Sequence, residues 1–323
     1  MTAKRILDFV RNWSLPVAMT IGLVSYFIYT GIHALDGTHH VVHQTVGILQ
    51  PVLLFTMLFL SFCKIDPHDM HFCRWHLLGL LFQTCMFLLG AWITWALGSS
   101  EYRLWGEAVM IAFITPTATA SVVITAKLGG NPASITTYTI LVNLLVATIV
   151  PLIVPLMPMH QGLDFIPLFL EIISRIFPML VLPLLLAWCV RRFSPRLLAL
   201  LQKPKDLAFH LWAVALCIAF AVTTHTFING RMPLLVGMGI AVISLLACAA
   251  QFALGKYLGK MEHDRISAGQ ALGQKNNIFA IWMAYTFFDP VSAIGGGFYM
   301  IWHNVYNSYQ LWRARKYGND ILQ

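Results

Sequence analysis

Residues Gln270-Ala271-Leu272-Gly273-Gln274-Lys275-Asn276-Asn277-Ile278-Phe279-Ala280 decide how this chain is read. They lie inside a window whose hydropathy marks a membrane span, yet 270–277 holds a glycine, a lysine, two glutamines and two asparagines. A lysine near mid-bilayer costs ~2.5–3.5 kcal/mol even on mild insertion scales, so it is hidden, paired or functional. Polar, interrupted backbone at that depth is tolerated only against protein or a water-filled cavity. The stretch predicts one half of a solute site. Its counterpart is Thr115-Pro116-Thr117-Ala118-Thr119-Ala120-Ser121.

The composition around it belongs to an all-α polytopic membrane protein. Of 323 residues 58% are apolar and 11% charged, against about 25% charged in soluble domains. Residues 1–13 are a basic amphipathic lead (Lys4, Arg5, Arg11) running into the first apolar window without a small-residue cleavage site, so no cleaved signal is expected. The six cysteines, Cys63, Cys73, Cys85, Cys189, Cys217 and Cys248, fall mostly in apolar runs, where a free cysteine behaves as a small hydrophobe. No disulfide framework is implied. No nucleophile–base set or phosphate loop is visible, and the loops are too short for an ATPase, so neither an enzyme nor a cofactor is expected.

Windows of about 20 apolar residues are long enough to span, and ten fit: 15–34, 44–63, 75–97, 104–126, 133–156, 165–190, 207–227, 233–258, 266–288 and 290–312. Alternate loops hold nearly all the basic residues: Lys4, Arg5 and Arg11; Lys64 and Arg74; Lys127; Arg191, Arg192, Arg196, Lys203 and Lys205; Lys256, Lys260 and Arg265; Arg313, Arg315 and Lys316. The opposite loops hold Arg103 and Arg231. The positive-inside rule then puts both termini in the cytoplasm of a plasma (inner) membrane protein. The net charge of +8 is read as topology rather than nucleic-acid binding.

The chain also repeats. Asn131-Pro132-Ala133-Ser134 opens the fifth window and Asp289-Pro290-Val291-Ser292 the tenth, 158 residues apart, each an N-cap followed by proline at the first helical position. Pro116 shifted by 158 falls on Gln274. Five spans in each half, 1–158 and 159–323, is an odd number, so the halves are inverted in the membrane. Inverted repeats with helices broken at corresponding positions mark the solute site of secondary transporters.

In the first break, Pro116 removes one backbone hydrogen bond and blocks a carbonyl. Thr115, Thr117, Thr119 and Ser121 either re-satisfy that backbone or, with freed carbonyls, hold a cation while half-helix N-termini face an anion. These features resemble a divergent, bacterial-type member of the bile acid:sodium symporter family. That family has ten spans, inverted five-helix repeats and crossed, broken fourth and ninth spans. Its fourth-span motif Pro-Gly-Gly-Thr-Ala-Ser-Asn is met by Pro116-Thr117-Ala118-Thr119-Ala120-Ser121-Val122. Its ninth-span motif Glu-x-Gly-x-Gln-Asn-x-x-Leu is met by Ala271 through Phe279, and its third-span glutamine by Gln83.

The resemblance implies a core domain of spans three to five and eight to ten, and a panel of spans one, two, six and seven. It also implies a small organic anion as solute, such as a carboxylate or steroid-like acid, meeting Thr119, Asn276 and Asn277 at the crossing; Thr115, His303 and Asn304 are further candidate solute contacts, the tenth-window asparagines Asn304 and Asn307 reading equally as interhelical glue. The candidates for the ion-coupling site are Gln83, Ser121, Thr139, Gln270, Gln274 and Lys275, of which Ser121 keeps a sodium ligand of the family resembled and Thr139 supplies a fifth-span hydroxyl. The departures matter. The asparagine is replaced by Val122, the glutamate falls on Ala271 beside neutral Gln270, and the glutamine falls on Lys275. A site without its carboxylate and with an ammonium repels sodium. Lys275, a compact charge that changes protonation readily when buried, is expected to replace the ion, with transport proton-linked or uncoupled. Snorkelling of Lys275 to the interface is the structural alternative.

Other groups read as structural. Glu171 and Arg175 sit at i, i+4 and pair on one helix face; Glu107, one turn into the fourth span, is placed at the interface. Cys63, His68, His71, Cys73 and His76 share a loop with no familiar zinc spacing, and no metal is expected there. Gly295-Gly296-Gly297 permits close helix approach. Trp92, Trp95, Trp105 and Trp312 suit the interfacial belt. The expectation is a secondary transporter in a lipid bilayer, with sodium or a proton as the only conceivable coupling ion. Two alternatives stand beside it: a proton or cation antiporter with Lys275 as carrier, and an intramembrane enzyme or sensor using a Ser121–Lys275 pair.

Overall fold

A computed structural model describes residues 14–203, 207–230 and 232–318. The basic lead at 1–13, Lys205 and Arg231 lie outside the described residues. Within them the chain is all-helical, and its one β-type pairing is an isolated bridge. The helices are α1 (Ser14–Gly31), α2 (His39–Lys64), α3 (Arg74–Leu97), α4 (Arg103–Ile114), α5 (Ala120–Lys127), α6 (Pro132–Ile153), α7 (Phe165–Leu180), α8 (Leu182–Phe193), α9 (Pro195–Gln202), α10 (Leu207–Asn229), α11 (Leu234–Lys260), α12 (Arg265–Gly273), α13 (Asn277–Phe287) and α14 (Ala293–Tyr317).

Six helical segments among the described residues are long and apolar enough to cross a membrane: His39–Lys64, Arg74–Leu97, Pro132–Leu156, Phe165–Phe193, His210–Asn229 and Leu234–Lys260. The other windows fall short for physical reasons. Those at 104–126 and 266–288 are each cut into two short helices. The window at 290–312 forms a single turn of 3-10 helix, Pro290–Ser292, followed by α14, whose His303, Asn304, Asn307 and Gln310 lower its hydropathy. The window at 165–190, one of the six long segments, nevertheless bends at Val181 between α7 and α8, because Pro183 brings no N–H to the carbonyl four residues back. The short helix α9 follows Pro195 and has no counterpart among the windows.

Packing is dominated by α3 against α4, α11 against α12 and α14, and α1 against α10; α2 lies on α8 and α10. The main core gathers Phe87, Ile111, Ile114, Tyr138, Val142, Val146, Leu272, Phe279 and Met283 around the two interruptions. Gly297 lets α14 approach α10 so closely that a Cβ there would strike Thr223. The turn before α3 docks on the turn after α11, where Glu262 accepts the backbone N–H of Arg74 at 3.0 and 3.1 Å.

Candidate functional site

The two interruptions meet. Thr117 and Lys275 form an antiparallel bridge: the Ala118 N–H donates to the Gln274 carbonyl at 2.9 Å and the Asn276 N–H to the Pro116 carbonyl at 2.8 Å. Thr115, forced toward extended backbone by the proline after it, stands at φ −51, ψ 128. Four extended peptides thus pair where two helices have stopped, which satisfies backbone groups that a membrane interior cannot.

The carbonyls freed at both helix ends find side chains. Pro116 has no N–H for Ala112, whose oxygen accepts from Gln251 Nε2 at 3.2 Å instead. The Phe113 oxygen accepts from Gln83 Nε2 at 2.6 Å and from Lys275 Nζ at 3.4 Å. On α12, the Ala271 oxygen accepts from Thr117 Oγ1 at 2.7 Å and the Gly273 oxygen from the Tyr299 hydroxyl at 2.9 Å. Tyr138 donates to Gln83 Oε1, and Gln251 donates to the Tyr299 hydroxyl at 2.9 Å. Two Gln–Tyr pairs, one from each half of the chain, therefore brace the crossing.

Lys275 is 1% exposed. Among the described residues no carboxylate stands within ion-pair distance of it. Its ammonium sits at the C-terminal, negative end of α4, so the carbonyl of Phe113 and the helix dipole supply what an acid would. Snorkelling is excluded by that burial. Among the described residues, buried polar atoms without a partner include Oε1 of Gln274 and Gln251 and Nδ1 of His303, beside others at Gln50, Glu107, Thr125, Asn143, Gln270, Asn304 and Asn307. Most buried polar atoms in proteins are paired; Gln274 adjoins Lys275 in the chain, and His303 shares a small cavity with it.

This cavity is lined by the polar Thr119, Lys275, Asn276, Asn277 and His303 and by the apolar Met57, Ala118, Trp212, Leu216, Ile278 and Met300. Its volume of about 20 Å³ holds roughly one water. Thr119 is the N-cap of α5 and Asn276 that of α13, where its Oδ1 accepts the Phe279 N–H at 3.3 Å. Two positive helix ends and Lys275 thus border a single cavity, an arrangement that favours an anion. Met57 of α2, Trp212 and Leu216 of α10 and Met300 of α14 give it an apolar lining as well.

Of the six residues expected to meet a solute, Thr119, Asn276, Asn277 and His303 line the cavity; Asn277 Nδ2 and His303 Nε2 lie 3.4 Å apart. Thr115 does not. Its hydroxyl turns back to the Ile111 carbonyl at 2.5 Å, the cheapest partner for a threonine beside a proline. Asn304 points instead toward Met19 Sδ at 3.9 Å on α1. Of the expected ion ligands, Gln83, Gln274 and Lys275 join the crossing. Ser121 and Thr139 are buried but donate to carbonyls of their own segments, Ala118 at 2.6 Å and Ile135 at 2.8 Å. Gln270 pairs with Asn307 at 2.9 Å. Tyr138, Tyr299 and Gln251 were not singled out from sequence, though a lone glutamine in an apolar window, as at 251, is a usable signal. The apolar wall has no chemical signature.

Glu107, one turn into its window, is held inside the protein. It is fully buried and holds the start of the tenth window: Oε2 accepts from Ser292 Oγ at 2.5 Å and the Asp289 N–H at 3.1 Å. Oε1 stands 3.4 Å from Arg103 Nε without hydrogen-bond alignment, and Arg103 also pairs with Asp289 at 2.8 Å. At the other end of α3, Asp264 accepts from Ser134 Oγ at 2.5 Å and Trp75 Nε1 at 3.1 Å. Each clasp ties the start of an interrupted helix to the serine of an Asn-Pro-Ala-Ser or Asp-Pro-Val-Ser turn. Glu171 and Arg175 pair at 2.6 Å, both half exposed. In the loop after α2, His68 bonds Asp66 and His76 bonds Ser134.

Burial raises the Asp264 carboxyl above its ordinary 3.8, against the lowering pull of its hydrogen bonds from Ser134, Ser267 and Trp75. A raised acid opposes folding while ionised and ceases to do so once protonated. The stability difference between wild type and Asp264→Asn should therefore shift in favour of wild type as the pH falls from about 7 toward about 4. Thermal melts across that range check this; a difference independent of pH would refute it.

The sequence matches no protein-family model, and a search of the curated proteins finds no relative.

Proposed function

We propose that the chain is a secondary transporter of ten spans in two inverted repeats, moving a small organic anion by alternating access in a plasma membrane with both termini cytoplasmic. The observation that carries this is the meeting of two interrupted helices at Thr117 and Lys275, with both half-helix N-caps and Lys275 lining one cavity. Interrupted helices at corresponding positions of two repeats are where secondary transporters bind solute. The two clasps support the repeat: Glu107 and Asp264 are 157 residues apart, Ser134 and Ser292 158, and each acid reaches the serine of the other half. The resemblance to bile acid:sodium symporters agrees with a core of α3–α6 and α11–α14 and a panel of α1, α2, α7, α8 and α10. On this reading the apolar wall formed by Met57, Trp212 and Leu216 belongs to the panel. The polar wall belongs to the core, so sliding of one past the other would open the cavity.

Lys275 supplies the cation that sodium supplies in the family resembled. Ligand bound only by the folded state raises stability by mass action. The melting temperature of purified wild type should be the same in sodium and in choline, whereas Lys275→Gln should be stabilised by sodium. A strong sodium response of wild type would sink the substitution of ion by lysine. The absence of a carboxylate partner for Lys275 favours one second reading, a proton or cation antiporter in which Lys275 carries the proton. In vesicles, pH-dependent ion flux without any organic solute would select it.

A further inference from the structure

Between the cavity and the end of the molecule where α14 finishes lies a group of buried amides outside both the crossing and the cavity lining. Gln270 of α12 donates from Nε2 to Asn307 Oδ1 at 2.9 Å, and Gln310 Nε2 donates to the same oxygen at 3.2 Å. All three side chains are buried. His303, which lines the cavity, precedes Asn307 by four residues and so shares its face of α14. A polar strip thus leaves the cavity along α14 and meets α12 one turn on.

The amide pairing is incomplete. Two side-chain amides can exchange two hydrogen bonds, and this pair makes one: Gln270 Oε1 and Asn307 Nδ2 are both buried without a partner. A pair that served only to tie two helices together would exchange both. The orphans are one acceptor and one donor. A cation would suit the oxygen and be opposed by the N–H, and an anion the reverse. Water both gives and takes hydrogen bonds, and buried water is held by such otherwise unsatisfied groups.

Beyond the amides the polar strip stops. Ile266, one turn before Gln270 on α12, packs in one apolar cluster with Leu311 and Ala314, which follow Gln310 on α14, and with Ile124 and Leu128 of α5 and the turn after it. α12 runs toward the crossing and α14 away from the cavity, so this cluster covers the amides on the side of the molecule's end. Apolar constrictions close water paths by dewetting.

We propose that Gln270, Asn307 and Gln310 hold water and form the inner part of a path from the cavity to the end where α14 finishes, shut in this structure by Ile124, Leu128, Ile266 and Leu311. When the apolar cap parts, water and protons reach the cavity and Lys275 without a passing solute. The use of the path in coupling rests on the transport reading; the water and the cap do not.

Thiol labelling of the full chain, purified in detergent, with methanethiosulfonate-ethylammonium tests it. The reagent is water-soluble and reacts with the thiolate, whose formation apolar burial opposes. Adducts are counted by intact mass against those on the six native cysteines. Asn307→Cys and Gln310→Cys should each gain an adduct over wild type, and Ala284→Cys, buried in the main apolar core, should gain none. Ile266→Ala added to either should speed its labelling severalfold by thinning the cap. Adduct counts equal to wild type at both amide positions would make the cluster interhelical glue and overturn the proposal. Labelling that Ile266→Ala does not speed, or that Ala284→Cys matches, overturns it too, because the reagent then enters elsewhere. If Asn307→Cys does not fold, Gln310→Cys, which leaves the Gln270–Asn307 bond in place, makes the same measurement. A failure of the transport reading would appear as vesicles that move no solute and would leave these counts unchanged.

Discussion

Lys275→Met should melt at a higher temperature than wild type, in sodium and in choline alike, and should no longer translocate solute. Methionine matches the length of most of the lysine stem and fills its buried place. What it removes is an ionisable group buried to 1% exposure with a single carbonyl contact at 3.4 Å. Replacing buried ionic groups by apolar side chains of similar volume is often worth roughly 1–4 kcal/mol to the fold. A protein that keeps such a group at that cost keeps it for function, the usual trade between stability and activity at a working site.

The contrast with Lys275→Gln gives the prediction its edge. Glutamine offers an amide oxygen to a cation and methionine does not, so the two variants separate the removal of a charge from the creation of an ion site. Two outcomes would refute the role assigned to Lys275. One is a methionine variant less stable than wild type, which would make the lysine a structural strut. The other is a stabilised variant that still moves solute, which would leave the ammonium without a part in transport.

The interruptions were legible because the membrane makes them expensive. Pro116 among hydroxyl residues, and Lys275 among amides, are tolerated at depth only where backbone or cavity receives them, so a single sequence exposes both. Their direct pairing at Thr117 and Lys275 was not legible as such, because a bridge across 158 residues leaves no local mark. The same limit hid the clasps. Ser134 and Ser292 stood out as parts of a repeated turn, but their partners Asp264 and Glu107 lie 130 and 185 residues away. Position along the helix put Glu107 near one end of its window, and only its neighbours show that it is packed inside the protein. Thr115 and Asn304 were drawn toward the solute by proximity in sequence; a hydroxyl beside a proline has a nearer carbonyl, and Asn304 turns to another face of its helix. The apolar wall of Met57, Trp212 and Leu216 was out of reach because an apolar residue facing a cavity looks like one facing a neighbour.

Glu107→Ala should be the most destabilising single change in the molecule, costing roughly 3–5 kcal/mol, because removing one partner of a buried charged set leaves the others uncompensated. Three groups are affected together: Ser292 Oγ and the Asp289 N–H lose their acceptor, and the Arg103 guanidinium loses a charge at 3.4 Å while keeping Asp289. All three sit where α4 begins and the turn into α14 is formed, so the loss loosens both the interrupted helix and the helix that packs on α11 and α13. Glu107→Gln keeps an oxygen for the Ser292 hydroxyl and the Asp289 N–H but not the charge beside Arg103, so it should cost clearly less. Because Glu107 and Ser292 act on one another, Ser292→Ala added to Glu107→Ala should cost far less than Ser292→Ala alone; contacting residues fail to add in this way. Chemical or thermal unfolding of the four proteins in one detergent measures the cycle. Additive costs, or an alanine variant as stable as the glutamine one, would mean that the carboxylate merely occupies the site, and that the matching clasp of Asp264 and Ser134 does not pin the other half either.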